Sequence, residues 1–292
     1  MFSLLLILGG LGLLIFTGVT LAGVGLLVLT LLLLVVGVGL LIAAGVSLVS
    51  STVRVERRHF AVADHPHLVV HNEAGSIQVH AGSAGNTVTV KTKRHTRRVG
   101  KAGASSWVCY AQSAEGNEIR AEVDRVFAPD TSLPQPIDFE ILVPGHADLE
   151  LLTGAGDIWV AGISGQLSLR CEIGSIAVRG GLLTGNSVLK TSLGSVNFHG
   201  ALDPSGTYQF ATETGAVQVI LPDDSAFELD ASTQFGRITT VVPGMTMAYR
   251  TNCEVHGDAG MPPRSSLTLS SITGSVSVFE ESDAYLPGGN EN

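Results

Sequence analysis

From Phe60 onward, apolar residues alternate with polar ones in short runs separated by Gly, Asp, Asn and Ser, the period-two signature of strands. Leu68-Val69-Val70, Thr87-Val88-Thr89-Val90, Ile119-Arg120-Ala121-Glu122-Val123 and Asp138-Phe139-Glu140-Ile141 are examples. No stretch after residue 60 keeps a helical period over ten residues, so this part is expected to be all-β. Before it the pattern is different. Met1 to Val49 contains no Asp, Glu, Lys, Arg or His. One helix of that length would run to roughly 75 Å at ~1.5 Å per residue, more than twice a ~30 Å hydrocarbon core. An α-helical transmembrane segment of two helices is therefore expected, about Phe2–Leu21 and Leu26–Val49, turning near Ala22-Gly23-Val24-Gly25. A signal peptide followed by one anchor is the alternative, and Met1-Phe2-Ser3 offers it no basic start.

Within the β part a unit repeats. Gly-x-(Ile/Val)-x-apolar occurs as Gly156-Asp-Ile158-Trp-Val160, Gly174-Ser-Ile176-Ala-Val178, Gly194-Ser-Val196-Asn-Phe198 and Gly215-Ala-Val217-Gln-Val219. It returns as Gly236-Arg-Ile238 and Gly274-Ser-Val276-Ser-Val278, and an earlier copy is Gly75-Ser-Ile77-Gln-Val79. The steps from 156 to 236 are 18, 20, 21 and 21 residues; the last, 38, is close to two periods, and the first, 81, close to four. Alignment gives apolar columns: Ile158, Ile176, Val196, Val217, Ile238, and a second of Leu169, Leu189, Phe210. A small-residue column holds Cys171, Thr191, Thr212 and Thr233, so Cys171 is expected as a small buried filler.

A parallel β-solenoid, β-helix-like, accounts for the columns: each unit makes one coil, and coils stack at ~4.8 Å so that columns become ladders. An antiparallel sandwich also gives short alternating strands, with no reason to repeat every twenty residues. The expected organisation is a transmembrane segment at 1–50, a juxtamembrane linker at 51–59, a β-solenoid at 60–279 and a disordered tail at 280–292. Coils are less regular over 60–150 and regular over 151–279.

These residues together resemble the bacterial putative-adhesin β-solenoid family, a membrane-tethered domain of unknown function. The resemblance rests on Leu142-Val-Pro-Gly145, the serial glycine units, Val219-Ile-Leu-Pro-Asp223 and the closing Gly274-Ser-Val-Ser-Val278, over roughly residues 60–280. It implies the solenoid fold and a cell-envelope setting that includes envelope-stress components, and it brings no catalytic residues. The long apolar N-terminus departs from the family's commonest pattern.

Composition narrows the function. With 17 Lys+Arg against 26 Asp+Glu, the net charge is -9, which disfavours nucleic acid as a partner. Cys109, Cys171 and Cys253 are too few and too scattered for a disulfide framework. No GxxxxGK[ST], HExxH or GxSxG motif is present, and Gly154-Ala-Gly156 lacks the third glycine of a dinucleotide site. No enzyme, cofactor or metal is expected. Six of the nine histidines (His59, His65, His67, His71, His80 and His95) fall close together, with His67 and His71 on one strand face. A metal would need three or four converging ligands, so a solvated surface is the expected reading. The basic run Lys91, Lys93, Arg94, Arg97, Arg98 and Lys101 reads as a long loop, with anionic lipid headgroups or a protein partner as candidate contacts.

The expected function is a membrane-anchored, non-enzymatic, adhesin-like scaffold that contacts the bilayer and an unknown protein or envelope polymer, or associates with itself. An accessory sensor or regulator of a membrane partner in an envelope-stress response is the alternative, and a polysaccharide-acting β-helix enzyme the third. The expected location is the cell membrane. Arg54, Arg57 and Arg58 favour the cytoplasmic face by the positive-inside rule, and the extracellular face is the alternative.

Overall fold

The computed structural model describes residues 51–82, 85–97, 106–125 and 136–281. Contacts divide the chain into two units, 1–51 with 97–99 and 52–96 with 100–292. Apart from the end residues of two strands, the described part belongs to the second. Its first strands are β1 (Ser51–Ala61), β2 (His67–Ala74), β3 (Ile77–Ala81), β4 (Thr87–Arg97), β5 (Ser106–Gln112), β6 (Glu118–Arg125) and β7 (Ile137–Val143). The repeat region supplies β8 (Asp148–Ala155), β9 (Ile158–Ala161), β10 (Leu167–Ile173), β11 (Ile176–Leu183), β12 (Asn186–Leu193), β13 (Val196–Leu202), β14 (Thr207–Thr214) and β15 (Val217–Leu221). The last are β16 (Phe227–Phe235), β17 (Ile238–Val241), β18 (Thr246–Arg250), β19 (Glu254–Ala259), β20 (Ser265–Thr273) and β21 (Val276–Glu280).

Among the described residues these strands form two mixed sheets. The ten-stranded sheet runs β1-β4-β7-β3-β9-β11-β13-β15-β21-β17, and the eleven-stranded sheet runs β18-β19-β16-β20-β14-β12-β10-β8-β2-β6-β5. The expected columns pair in parallel: Ile158 with Ile176, Ile176 with Val196, Val196 with Val217 in one sheet, and Leu169 with Leu189 and Leu189 with Phe210 in the other. Because side chains alternate in direction along a strand, these columns point inward and are fully buried. Phe198 and Phe210 meet across the core, ring centroids 5.2 Å apart.

The expected parallel β-solenoid is corrected by this topology. Neither sheet closes into a solenoid: both are open and mixed, with antiparallel pairs β4–β7, β5–β6, β16–β19 and β18–β19. Strand order also departs from chain order, since β20 lies between β14 and β16, and β21 between β15 and β17. The physical reason is what fills the long intervals. The 38-residue step from Gly236 to Gly274 holds the hairpin β18–β19, which adds to an edge instead of winding another coil. Likewise β4 to β6 fill much of the interval between Gly75 and Gly156, with antiparallel pairings at the opposite edges. No helix among the described residues is long and apolar enough to cross a membrane. The two expected spans, Phe2–Leu21 and Leu26–Val49, lie outside the described residues, as does the tail from 282.

The glycine of each unit sits at the corner between the sheets. Gly156, Gly174, Gly194, Gly215 and Gly274 have φ of +143°, +142°, +145°, +148° and +148°, a conformation that L-residues rarely adopt. Space imposes the same choice, because a Cβ on Gly174 would collide with the carbonyl of Gly156, and one on Gly194 with that of Gly174. The contacts continue Gly215, Gly274, Gly236, and so repeat the inserted strand order.

Candidate functional site

With inward positions occupied by the core, function is left to the outward ones. On the ten-stranded sheet one outward row is held in register from β7 to β17: Glu140, Gln78, Trp159, Ala177, Asn197, Gln218, Ser277 and Thr239. The row crosses eight strands, roughly 34 Å at ~4.8 Å per step. Beside it run Leu142, His80, Ala161 and Arg179.

At its β7 end the row is closed by charge. Lys91 Nζ donates to Glu140 Oε2 at 2.8 Å, and Lys93 Nζ stands 3.0 Å from the same oxygen. Hydrogen bonds from Lys91 and Lys93 bring the Glu140 carboxyl down to about 2. His95 Nε2 lies 2.8 Å from Asp138 Oδ2, whose other oxygen accepts the Ser76 amide at 2.9 Å.

Over the next two strands, β3 and β9, the lining changes. Ser76, Gln78, His80, Asp157 and Trp159 surround an open depression of about 430 Å³. The His80 and Trp159 rings stack obliquely, centroids 4.5 Å apart at 56°. Beyond Trp159 the row offers only the methyl of Ala177, so the indole is not hemmed in on that side. Asp157 Oδ1 accepts the Ser175 amide at 2.8 Å, which fixes the carboxylate at the corner. Among the described residues, no group bonds the Gln78 amide, the Trp159 Nε1 or the His80 ring nitrogens.

The eleven-stranded sheet carries a second depression, about 400 Å³, lined among others by Glu228, Asp230, His256, Asp258 and Arg264. Its charges are largely matched to each other: His256 Nδ1 is 3.3 Å from Asp230, and Arg264 is 2.8 Å from Asp258 while also bonding the Gly260 carbonyl.

The structure places the residues singled out in the sequence as follows. Lys91, Lys93, Arg94 and Arg97 belong to strand β4 and not to a loop; Arg98 and Lys101 lie outside the described residues. His67 and His71 share the outward face of β2, but His71 faces Glu150 at 3.7 Å while His65 faces Asp148 at 3.2 Å. His59 bonds Thr89 Oγ1 at 2.9 Å. Among the described residues, no three His, Cys, Asp or Glu stand together in a way that could hold a metal ion. Cys171 is buried, and burial raises its thiol pKa above the ordinary value. Gln78, Asp157 and Trp159 occupy the variable positions of the repeat, which its periodicity does not mark as functional. The signal was there: one indole among amides and small residues in a register-aligned outward column.

No family model matches the chain, and no curated protein does. Solved structures resemble it. A putative cell adhesion protein from Clostridium sporogenes aligns at 10% identity over 80% of this chain and 100% of its own, with a TM-score of 0.48. A putative adhesin from Bacteroides fragilis aligns at 10% identity over 77% and 97%, TM-score 0.39. A putative lipid binding protein from Parabacteroides distasonis aligns at 11% identity over 78% and 96%, TM-score 0.26.

Proposed function

We propose that this chain is an adhesin-like, non-enzymatic interaction module, held at a membrane by its uncharged N-terminal run, which presents the outer face of its ten-stranded sheet to an envelope or surface partner. One observation carries the reading: the outward row of eight register-aligned side chains, most of them neutral and polar or small, from Glu140 to Thr239. A face fixed by backbone pairing is preorganised, so little side-chain and loop ordering opposes association. Membrane attachment rests on the 49 residues without a charge.

Binding to a surface partner requires the sheets to face outward. The juxtamembrane Arg54, Arg57 and Arg58 bias the other way by the positive-inside rule, so the side of the membrane is put to the test directly. The test uses the full-length chain. Coupled to beads, it should retain intact cells or isolated envelopes well above blank beads; in its host it should pellet with membranes, and protease added to intact cells should digest it before lysis. Retention no better than blank, or a chain protected until lysis, overturns the proposal.

A further inference from the structure

We infer that the depression around Trp159 is a binding subsite for a neutral, hydroxyl-rich polymer, that is, a polysaccharide. The inference rests on the interaction-module reading and gives its ligand a chemical class.

The face satisfies some of its polar groups internally and leaves others unused. Lys91, Lys93 and Glu140 satisfy one another, as do His95 and Asp138. Gln78, His80 and the indole nitrogen have no hydrogen-bond partner among the described residues, although they gather around one depression of about 430 Å³. That volume falls in the range of small-ligand sites, ~300–1,000 Å³.

The kinds of group matter as much as their number. Gln78 offers both donors and an acceptor, Asp157 accepts, Trp159 Nε1 donates, and Ser76 and His80 can do either. A ring of hydroxyls, each both donor and acceptor, answers such a mixed set. The pyranose C–H face, weakly positive, fits the negative face of an indole, and Ala177 leaves that side of Trp159 without a large neighbour. No Lys or Arg lines the depression, and the chain carries a net charge of -9, which disfavours an anionic polymer. Further amides, Asn197 and Gln218, continue the same row away from Trp159, so a linear chain can follow the row across successive strands.

Full-length protein in a non-glycosidic detergent, carrying Trp107→Phe so that Trp159 is its one tryptophan and excited at the red edge of indole absorption, is titrated with cellohexaose, mannohexaose and the hexamer of N-acetylglucosamine. Saturable change in emission with at least one of them is expected. Calorimetry with the same sugar should show binding weakened about tenfold or more by Trp159→Ala, the scale of one lost aromatic anchor, and weakened also by Gln78→Ala. Gln78→Ala carries the test if Trp159→Ala lowers the melting temperature. Binding unchanged by both substitutions, no binding at millimolar sugar, or preference for polygalacturonate overturns the inference. The bead assay separates the two claims. Envelope retention that persists in Trp159→Ala without any sugar binding sinks the polysaccharide and leaves the module; absence of retention by the unsubstituted chain sinks the module itself.

Discussion

At the scale of single residues, the corner between the sheets explains a column that the sequence shows without its purpose. Where the chain leaves one sheet for the other, the glycine carbonyl needs a donor, and a small polar side chain on the adjacent strand of the sheet provides it. Thr191 Oγ1 donates to the Gly174 carbonyl at 2.8 Å, Thr212 to Gly194 at 2.8 Å and Thr233 to Gly274 at 2.9 Å. Cys171 Sγ fills the same role toward Gly156 at 3.1 Å. The repeat made the column legible as small and buried. It could not show that the column is there to satisfy a backbone acceptor, because the acceptor belongs to a neighbouring strand pair. A thiol is a weak donor and a hydroxyl a good one, so Cys171→Thr is expected to fold with equal or higher stability in urea denaturation. Thr191→Val keeps the shape and removes the donor, at a cost of about 1–2 kcal/mol. A neutral Thr191→Val, or a clearly destabilised Cys171→Thr, would take the hydrogen bond out of the explanation. The raised thiol pKa follows from the same burial and leaves Cys171 protonated near neutral pH, unsuited to nucleophilic chemistry.

At the scale of elements, strands inside the regular repeat were legible because inward columns of one residue type demand parallel register. Val196 and Val217 are paired neighbours and wholly buried. Val217→Asp places a charge without a partner in that ladder and should destabilise by about 4 kcal/mol or more, whereas exposed Lys190→Ala should stay within about 0.5 kcal/mol. Equal thermal melts for the two would refute the register. Strand β4 was only half legible. Val88, Val90 and Thr92 face the core, but the basic residues between and after them make the stretch read as a solvated loop. What fastens it is β7, both by antiparallel pairing and by Glu140 beneath Lys91 and Lys93. The folded-state pKa of Glu140 is depressed, from its ordinary value near 4.5 to about 2. Its contribution is therefore complete above pH ~4.5 and is lost as pH falls towards about 2. The difference in melting temperature between the natural chain and Glu140→Gln should be full at pH 6 and shrink between pH 4.5 and 2. A difference that holds constant to pH 2 would remove Glu140 from the clasp.

At the scale of the whole molecule, strand order is what the sequence concealed. Repeat spacing reports how long each unit is, not where it lies, and the 38-residue step to Gly274 fits a missing coil as well as it fits a hairpin. The Trp159 depression was hidden in a related way, since Gln78 and Trp159 are 81 residues apart and become neighbours only because β3 pairs with β9. The inserted order has a mechanical consequence. In the eleven-stranded sheet, β16, β19 and β18 reach the remaining strands only through β20, and in the other sheet β17 does so only through β21. Ser265–Glu280 therefore joins the last-but-one part of the chain to the repeats, although it is the last described segment to be synthesised. Until it docks, Phe227, Leu229 and Ile238 have no parallel partner strand to complete their buried surface. Removal of residues 265–292 should thus release the whole stretch from β16 to β19 while β10 to β13, paired on both sides by other strands, stay folded. Hydrogen exchange followed by mass spectrometry reads this directly, because cooperative units lose protection together. Peptides from 227–259 should exchange as an unfolded chain in the truncated protein, and those from 167–202 should keep most of their protection. Leu269→Asp in the full-length chain, a charge in the buried face of β20, should give the same pattern in weaker form. Protection retained over 227–235 after truncation would mean that β16 holds to the repeats without β20, and the inserted strand order would then be wrong.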